Sequence, residues 1–160
     1  MTEKAIFAGG CFWGLQHLFK ELPGVVATQV GYTGGFKENP TYKEVCSGTT
    51  GHAEAIEVVF DPGQISYERL VQFFFEIHNP SERDRQGPDI GSQYRSAIYY
   101  FDEAQKRVAL DVIAILVGKG SDVATELVSA GPFYQAEEYH QKYYDKTGGT
   151  PYCHIWQKKF

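Results

Sequence analysis

A chain of 160 residues, 42 % hydrophobic and 15 % aromatic, has the size of one domain and ample material for a packed core. Its net charge of −5 comes from 20 acidic against 15 basic residues with no Lys/Arg block, which excludes the electrostatic footprint of a nucleic-acid binder. No run approaches the roughly 18 apolar residues of a spanning helix, and the short apolar stretch after Met1–Lys4 is no signal peptide, so a cytoplasmic monomer away from the membrane is expected.

In chain order, Lys4–Ala8 reads as a buried strand closed by Gly9-Gly10, and Trp13–Leu22 as a helix with Leu15, Leu18, Phe19 and Leu22 on one stripe. Cys11 opens that helix. Val25–Tyr32 is a β-branched second strand ending near Gly34-Gly35, and a long polar loop follows to His52. Ala53–Phe60 alternates, with Glu54, Ile56, Val58 and Phe60 on one face. Ser66 caps a helix carrying Leu70, Phe73, Phe74 and Ile77, and a second polar loop runs from His78 to Ser92. Arg95–Phe101 is a strand, and Asp102 starts a helix with Val108, Val112, Ile115 and Leu116 inward and Gly118 after its end. Val123–Val128 then reads as a strand, Gln135–Lys146 as a helix and Thr147–Phe160 as an irregular tail. The order βαβ then βαβ with extra helices predicts an α+β fold, a ferredoxin-like two-layer βαββαβ core rather than a doubly wound sheet. One domain over residues 1–160 is expected, with 147–160 as a flexible C-terminal tail.

The stretch Gly10-Cys11-Phe12-Trp13-Gly14 places a thiol where a strand gives way to a helix. A thiol reacts as thiolate, and a helix N-terminus is one of the few places that lowers its pKa. A buried cysteine is by default core filler. Flanking glycines free the backbone for a tight turn and admit another group closely, which tips the balance narrowly towards a reactive thiol. Glu54 faces the apolar side of its strand, where desolvation raises a carboxyl pKa towards that of a general acid; a salt-bridged strand-end carboxylate fits the spacing equally well. His52 reads as a turn residue. Tyr42, in the first loop, and Tyr94, in Gly91-Ser92-Gln93-Tyr94-Arg95-Ser96, are two of 11 tyrosines and by default pack, although phenols suit an oxygen that gains negative charge. Asp89 reads as a turn or cap residue.

The three cysteines, Cys11, Cys46 and Cys153, are odd in number and widely spaced, which excludes a disulfide framework and a CxxC pair and leaves free thiols. Cys153 lies in the pliant stretch Thr147-Gly148-Gly149-Thr150-Pro151-Tyr152-Cys153-His154, from which it could swing to another thiol, and a sulfenic acid is most simply removed by such a thiol. Cys46 reads as packing. Two other functions fit on paper. One is a thiol hydrolase or acyl transferase with Cys11 and a histidine base. The other is a zinc-stabilised module on Cys46, His52, Cys153 and His154, whose spacing matches no common finger.

Four strings, GCFWG at Gly10–Gly14, GYTGG at Gly31–Gly35, VCSGTTGHAE at Val45–Glu54 and GSQYRS at Gly91–Ser96, resemble the A-type methionine sulfoxide reductases, the peptide-methionine (S)-S-oxide reductases. The resemblance spans Ala5 to about His154. It implies the ferredoxin-like α+β fold and the reduction of methionine S-sulfoxide, in proteins or free, without metal or organic cofactor. It makes Cys11 the nucleophile, Glu54 the acid, Tyr42 and Tyr94 the oxygen-binding hydroxyls, Phe12 and Trp13 the pocket for the substrate methyl, and Asp89 a residue near substrate. Cys153 becomes the resolving thiol, whose disulfide with Cys11 a thioredoxin-like dithiol would reduce. One departure is Pro151, which restricts φ where many members have glycine.

Overall fold

The computed structural model describes residues 1–152 and 154–160. Strand β1 (Glu3–Gly9) leads into helix α1 (Phe12–Phe19), and β2 (Val25–Thr33) follows the turn at Pro23-Gly24. The first polar loop holds a short helix, α2 (Tyr42–Cys46), ahead of β3 (Ala53–Phe60) and α3 (Tyr67–Glu76). The second folds into a hairpin of β4 (Arg85–Gln86) and β5 (Asp89–Ile90) and a 3-10 turn at Ser92–Tyr94. Then come β6 (Ser96–Tyr100), α4 (Glu103–Gly118), β7 (Glu126–Ser129), β8 (Phe133–Gln135) and α5 (Tyr143–Thr147). Among the described residues no helix is long and apolar enough to cross a membrane.

Six strands form one sheet in the order β7-β6-β1-β3-β2-β8. Its middle, β6-β1-β3-β2, is antiparallel, and with α1 and α3 as crossovers it is the βαββαβ core that the element order predicts. Helix α4 returns the chain so that β7 pairs in parallel with β6, and β8 extends the other edge along β2. Register makes the layers. Phe7 lies opposite both Ile56 and Ile98, and α1, α3 and α4 bury Leu15, Phe19, Leu70, Phe74 and Val112 on that face. Each such side chain contributes on the order of 1.5–3 kcal/mol by leaving water. The other face is lined by Ile6, Ala8, Ala55, Ala97 and Tyr99. Because Tyr32 pairs with Glu54 and Val30 with Ile56, Glu54 lies on the helix-covered face, as its alternation requires.

Caps follow the sequence at α3 and α4: Ser66 Oγ accepts the Arg69 N–H at 3.0 Å, and Asp102 Oδ1 the Gln105 N–H at 2.8 Å. Helix α2 was hidden in a polar loop, yet Thr41 and Glu44 form a capping box there. On α4 the buried stripe is Gln105, Ala109, Val112 and Leu116, leaving Ile115 exposed. The helix also runs on to include Gly118. Strand β7 starts three residues later than the sequence suggests, because the Ala124 N–H donates to Pro80 O at 2.7 Å and holds the preceding chain off the sheet.

The largest difference is at Gln135–Lys146. Instead of one helix there are the end of β8, a 3-10 turn at Glu138–His140 and the short α5. Gln141 causes the break. Its side chain accepts the Val30 N–H at 3.0 Å and donates to the Val30 and Ala136 carbonyls at 2.9 and 3.0 Å, so the turn is sewn to β2. Lys142 then takes φ +52°, which stops any helix running through. Past α5 the described chain is irregular but tied down. The buried Glu76 carboxylate accepts from Arg69 Nη1 at 2.8 Å, Trp156 Nε1 at 3.2 Å and the Lys159 N–H at 3.2 Å.

Candidate active site

Gly10, at φ +97°, turns the chain out of β1, and Cys11 takes the N-cap position of α1 in an extended conformation with no side-chain capping bond. Its sulfur is left for other work. The glycine on the far side, Gly14, has a second use: a methyl there would overlap the His154 imidazole, which packs against α1 and donates Nε2–H to Gly9 O at 2.7 Å. The close approach that the flanking glycines suggest is therefore made by the C-terminal segment.

Cys11 is 7 % exposed. Its thiol is pushed up, not down. Burial is the main cause and the Glu54 charge the second, and together they outweigh the backbone N–H groups of Trp13 and Gly14, which pull the other way. A helix start favours the thiolate as expected, but here it does not decide the balance.

Glu54 is 1 % exposed, and burial pushes its carboxyl up to about 8. Its two hydrogen bonds oppose this only partly because both are long: the Phe12 N–H donates to Oε1 at 3.3 Å and Gln93 Nε2 to Oε2 at 3.4 Å. At neutral pH this carboxyl holds a proton. No basic side chain pairs with it among the described residues, so the salt-bridge alternative falls away.

The two phenols flank the same spot. Tyr42 begins α2 and Tyr94 ends the 3-10 turn; burial, then the Glu54 charge, raises both hydroxyls, so both stay protonated donors. Tyr94 also feels Asp89, Cys46 and Cys11. Asp89, half-buried on β5, raises the pKa values of Cys11, Glu54 and Tyr94, and both of its oxygens receive the Tyr152 hydroxyl at 2.9 Å. Phe12 is sealed, its ring 5.7 Å from that of Tyr32 and 5.2 Å from that of His140. Trp13 is half-exposed and stacks on Tyr143 at 3.6 Å. Thus Cys11, Glu54, Tyr42, Tyr94, Asp89, Phe12 and Trp13 gather at one end of the sheet, while Cys153 lies outside the described residues.

Cys46 does not pack. It is exposed at the end of α2, with Gln93 Nε2 donating to its sulfur at 3.3 Å. Sequence reasoning missed three residues here. Gln93 bridges Glu54 and Cys46. Glu137 holds the Tyr32 hydroxyl at 2.8 Å and the Tyr42 N–H at 2.9 Å. His140 accepts the Trp13 indole N–H at 2.9 Å. For Glu137 and His140 the signal was a crowding of Glu, His and Gln in Ala136–Gln141, too polar for a buried helix face.

Neither alternative function gains support. The largest charge effects on Cys11 come from two carboxyls, Glu54 and Asp89, and His154, which lies against both flanking glycines, has its Nε2–H committed to Gly9 O. Of the zinc set, His52 uses both ring nitrogens, accepting from Gly35 N at 3.0 Å and facing Lys37 O at 2.7 Å, and no group of three or more metal-ligating side chains occurs among the described residues.

Fold and site together describe an α+β protein that sets a buried thiol against a protonated carboxyl and two phenols. The model of the peptide methionine sulfoxide reductase family matches residues 3–160. The chain is 51 % identical over 149 residues to the peptide methionine sulfoxide reductase MsrA of Methanosarcina acetivorans, covering 91 % of this chain and 79 % of the relative. It is 49 % identical over 154 residues to that of Sulfolobus acidocaldarius, covering 96 % and 88 %. Among solved structures, the reduced form of Mxr1 from Saccharomyces cerevisiae is similar at TM-score 0.90 and 35 % identity, over 98 % of this chain and 92 % of that one. Methionine sulfoxide reductase A of Corynebacterium diphtheriae follows at TM-score 0.82 and 41 % identity, over 92 % and 76 %. The chain belongs to the peptide methionine sulfoxide reductase family of oxidoreductases.

Proposed function

We propose that this protein reduces methionine S-sulfoxide, in proteins and free, with Cys11 as the nucleophile and Glu54 as the proton donor. The observation that carries this is the Glu54 carboxyl, buried and held at about 8, so that it is protonated beside the thiol at neutral pH. Sulfoxide sulfur is a poor electrophile until its oxygen is protonated. Glu54 gives its proton to that oxygen, Tyr42 and Tyr94 donate hydrogen bonds to it, and Cys11 sulfur attacks the sulfoxide sulfur as the S–O bond breaks. The attack forms an S–S bond, and the oxygen, carrying the protons of Glu54 and the thiol, leaves as water. A water then attacks Cys11 sulfur and breaks the S–S bond, so that methionine departs, Cys11 is left as a sulfenic acid and the proton released restores Glu54. Burial, the main cause of the raised thiol, and the Glu54 charge keep the resting Cys11 as a thiol, so its proton leaves with the attack.

Cys153 then attacks the sulfenic acid, releasing water and forming a Cys11–Cys153 disulfide, which an external dithiol of the thioredoxin kind reduces. What supports its part is sequence and its neighbours: Tyr152 is bonded to Asp89 and His154 lies against Gly14. Phe12 and Trp13 form the wall for the methyl group, with Asp89 at the substrate's edge. A fixed wall and fixed oxygen donors accept one hand of a chiral sulfoxide. The test is turnover of separated S and R epimers of a methyl sulfoxide. Selective turnover of S, lost in Cys11→Ser, is expected; equal turnover of R, or activity retained in Cys11→Ser, overturns the assignment.

A further inference from the structure

The Trp13 indole is held on two sides. Its face stacks on Tyr143, centroids 3.6 Å apart and planes within 4°, and its N–H donates to His140 Nδ1 at 2.9 Å. Stacking alone leaves a flat ring free to slide and turn in its plane, whereas a hydrogen bond at the edge stops both. His140 is fully buried, and its ring lies 5.2 Å from that of Phe12 and 4.3 Å from that of Tyr42. Because Nδ1 accepts, the neutral ring carries its proton on Nε2, and that nitrogen is buried with no partner among the described residues. A phenylalanine would fill the same space without a stranded N–H. What the imidazole alone supplies here is the acceptor for the indole.

With Phe12 and Trp13 taken as the methyl wall, as above, we propose that His140 is a positioning residue that fixes the Trp13 indole and so sets the width of the slot, making the protein discriminate methyl sulfoxides from larger alkyl sulfoxides. A rigid slot rejects one extra methylene by roughly 10–200-fold, and a wall that can shift admits it.

Two measurements test this. The first is kcat/KM for methionine sulfoxide and for ethionine sulfoxide. The wild type is expected to prefer methyl by about tenfold or more. His140→Leu, which removes the acceptor, and Trp13→Phe, which removes the donor, should each reduce that preference to about twofold, and the double variant should lose no more. His140→Asn keeps an acceptor on the γ branch and should keep the preference. Additive losses in the double variant, or an unchanged preference in His140→Leu, overturn the proposal. Should His140→Leu not fold, preference kept in His140→Asn and lost in Trp13→Phe supports it, and any other pattern in that pair sinks it. The second measurement is solvent exchange of the Trp13 indole N–H by NMR in the wild type, its signal being the one of two that vanishes in Trp13→Phe. Slow exchange is expected, and exchange as fast as that of a free indole refutes the bond whatever the protein turns over. A wild type that reduces no sulfoxide would instead defeat the functional reading while leaving the bond tested.

Discussion

Glu54 and His140 are both buried polar side chains of the candidate site, yet they are held there by different physics. Glu54 projects from β3, a strand paired on both sides, and its direction follows from period-two alternation and the Ile56, Val58 and Phe60 that share its face. His140 sits in a 3-10 turn with no periodic neighbours, placed by side-chain bonds to distant elements: Gln141 to Val30 and Glu137 to Tyr32, both on β2, and Glu137 to Tyr42 on α2. The first kind of residue inherits its place from hydrophobic burial spread over the whole sheet. The second depends on a few directional bonds, each worth about 0.5–1.5 kcal/mol. The proposed nucleophile and acid sit on α1 and β3, and the proposed wall residue Trp13 leans on the sewn turn.

Substitutions should separate the two regions. Glu54→Gln is expected to lower kcat by about 10²–10⁴-fold, the usual worth of a positioned acid. Wild-type turnover should hold below about pH 8 and fall above it as Glu54 ionises, whereas the variant, with only solvent as acid, should fall with rising pH throughout. A pH–rate profile shared by the two proteins would remove Glu54 from the proton transfer. Stability should move the other way. A folded pKa raised from 4.5 to about 8 favours the folded state fully below 4.5, and that contribution is lost as pH rises through 8. Urea unfolding should therefore show Glu54→Gln more stable than wild type by on the order of 4 kcal/mol at pH 8, and by nothing at pH 4.

A smaller effect is expected at Gly14, where the C-terminal segment rests on α1. Alanine in an exposed helix gains about 1 kcal/mol over glycine, but here the methyl meets the His154 imidazole, and a net loss of about 1–3 kcal/mol is expected. A stabilised Gly14→Ala would show that His154 does not rest on α1. In the sewn turn, Glu137→Gln cannot accept from both the Tyr32 hydroxyl and the Tyr42 N–H. It should cost about 1 kcal/mol of stability and, by loosening Tyr42, roughly tenfold in kcat/KM. Ser66→Ala, on the far side of the core, should lower Tm by about 2–4 °C through loss of a cap and leave kcat/KM unchanged. A fall in activity there would mean that the frame and the site are coupled more widely than their contacts indicate.

The legible parts were those with short-range signals. The bounds of β3, the caps at Ser66 and Asp102 and the helix start at Cys11 all follow from patterns a few residues long. The Thr41–Glu44 capping box was equally local and was masked only by the polar residues around it. Gln135–Lys146 misread because its spacing is helical while its hydrogen bonds go to β2.

The sequence by itself determined the order of the βαββαβ core elements, hence the ferredoxin-like frame, the face on which Glu54 lies and the thiol at the junction of β1 and α1. These rest on periodicity and turn chemistry, which act between neighbours in the chain. Only the tertiary structure decided that burial and Glu54 raise the Cys11 thiol against the pull of the helix start, that Gly14 makes room for His154 and that Trp13 leans on His140. Each of these depends on groups distant in the chain, where desolvation and directional bonds act through space and leave no trace in local spacing.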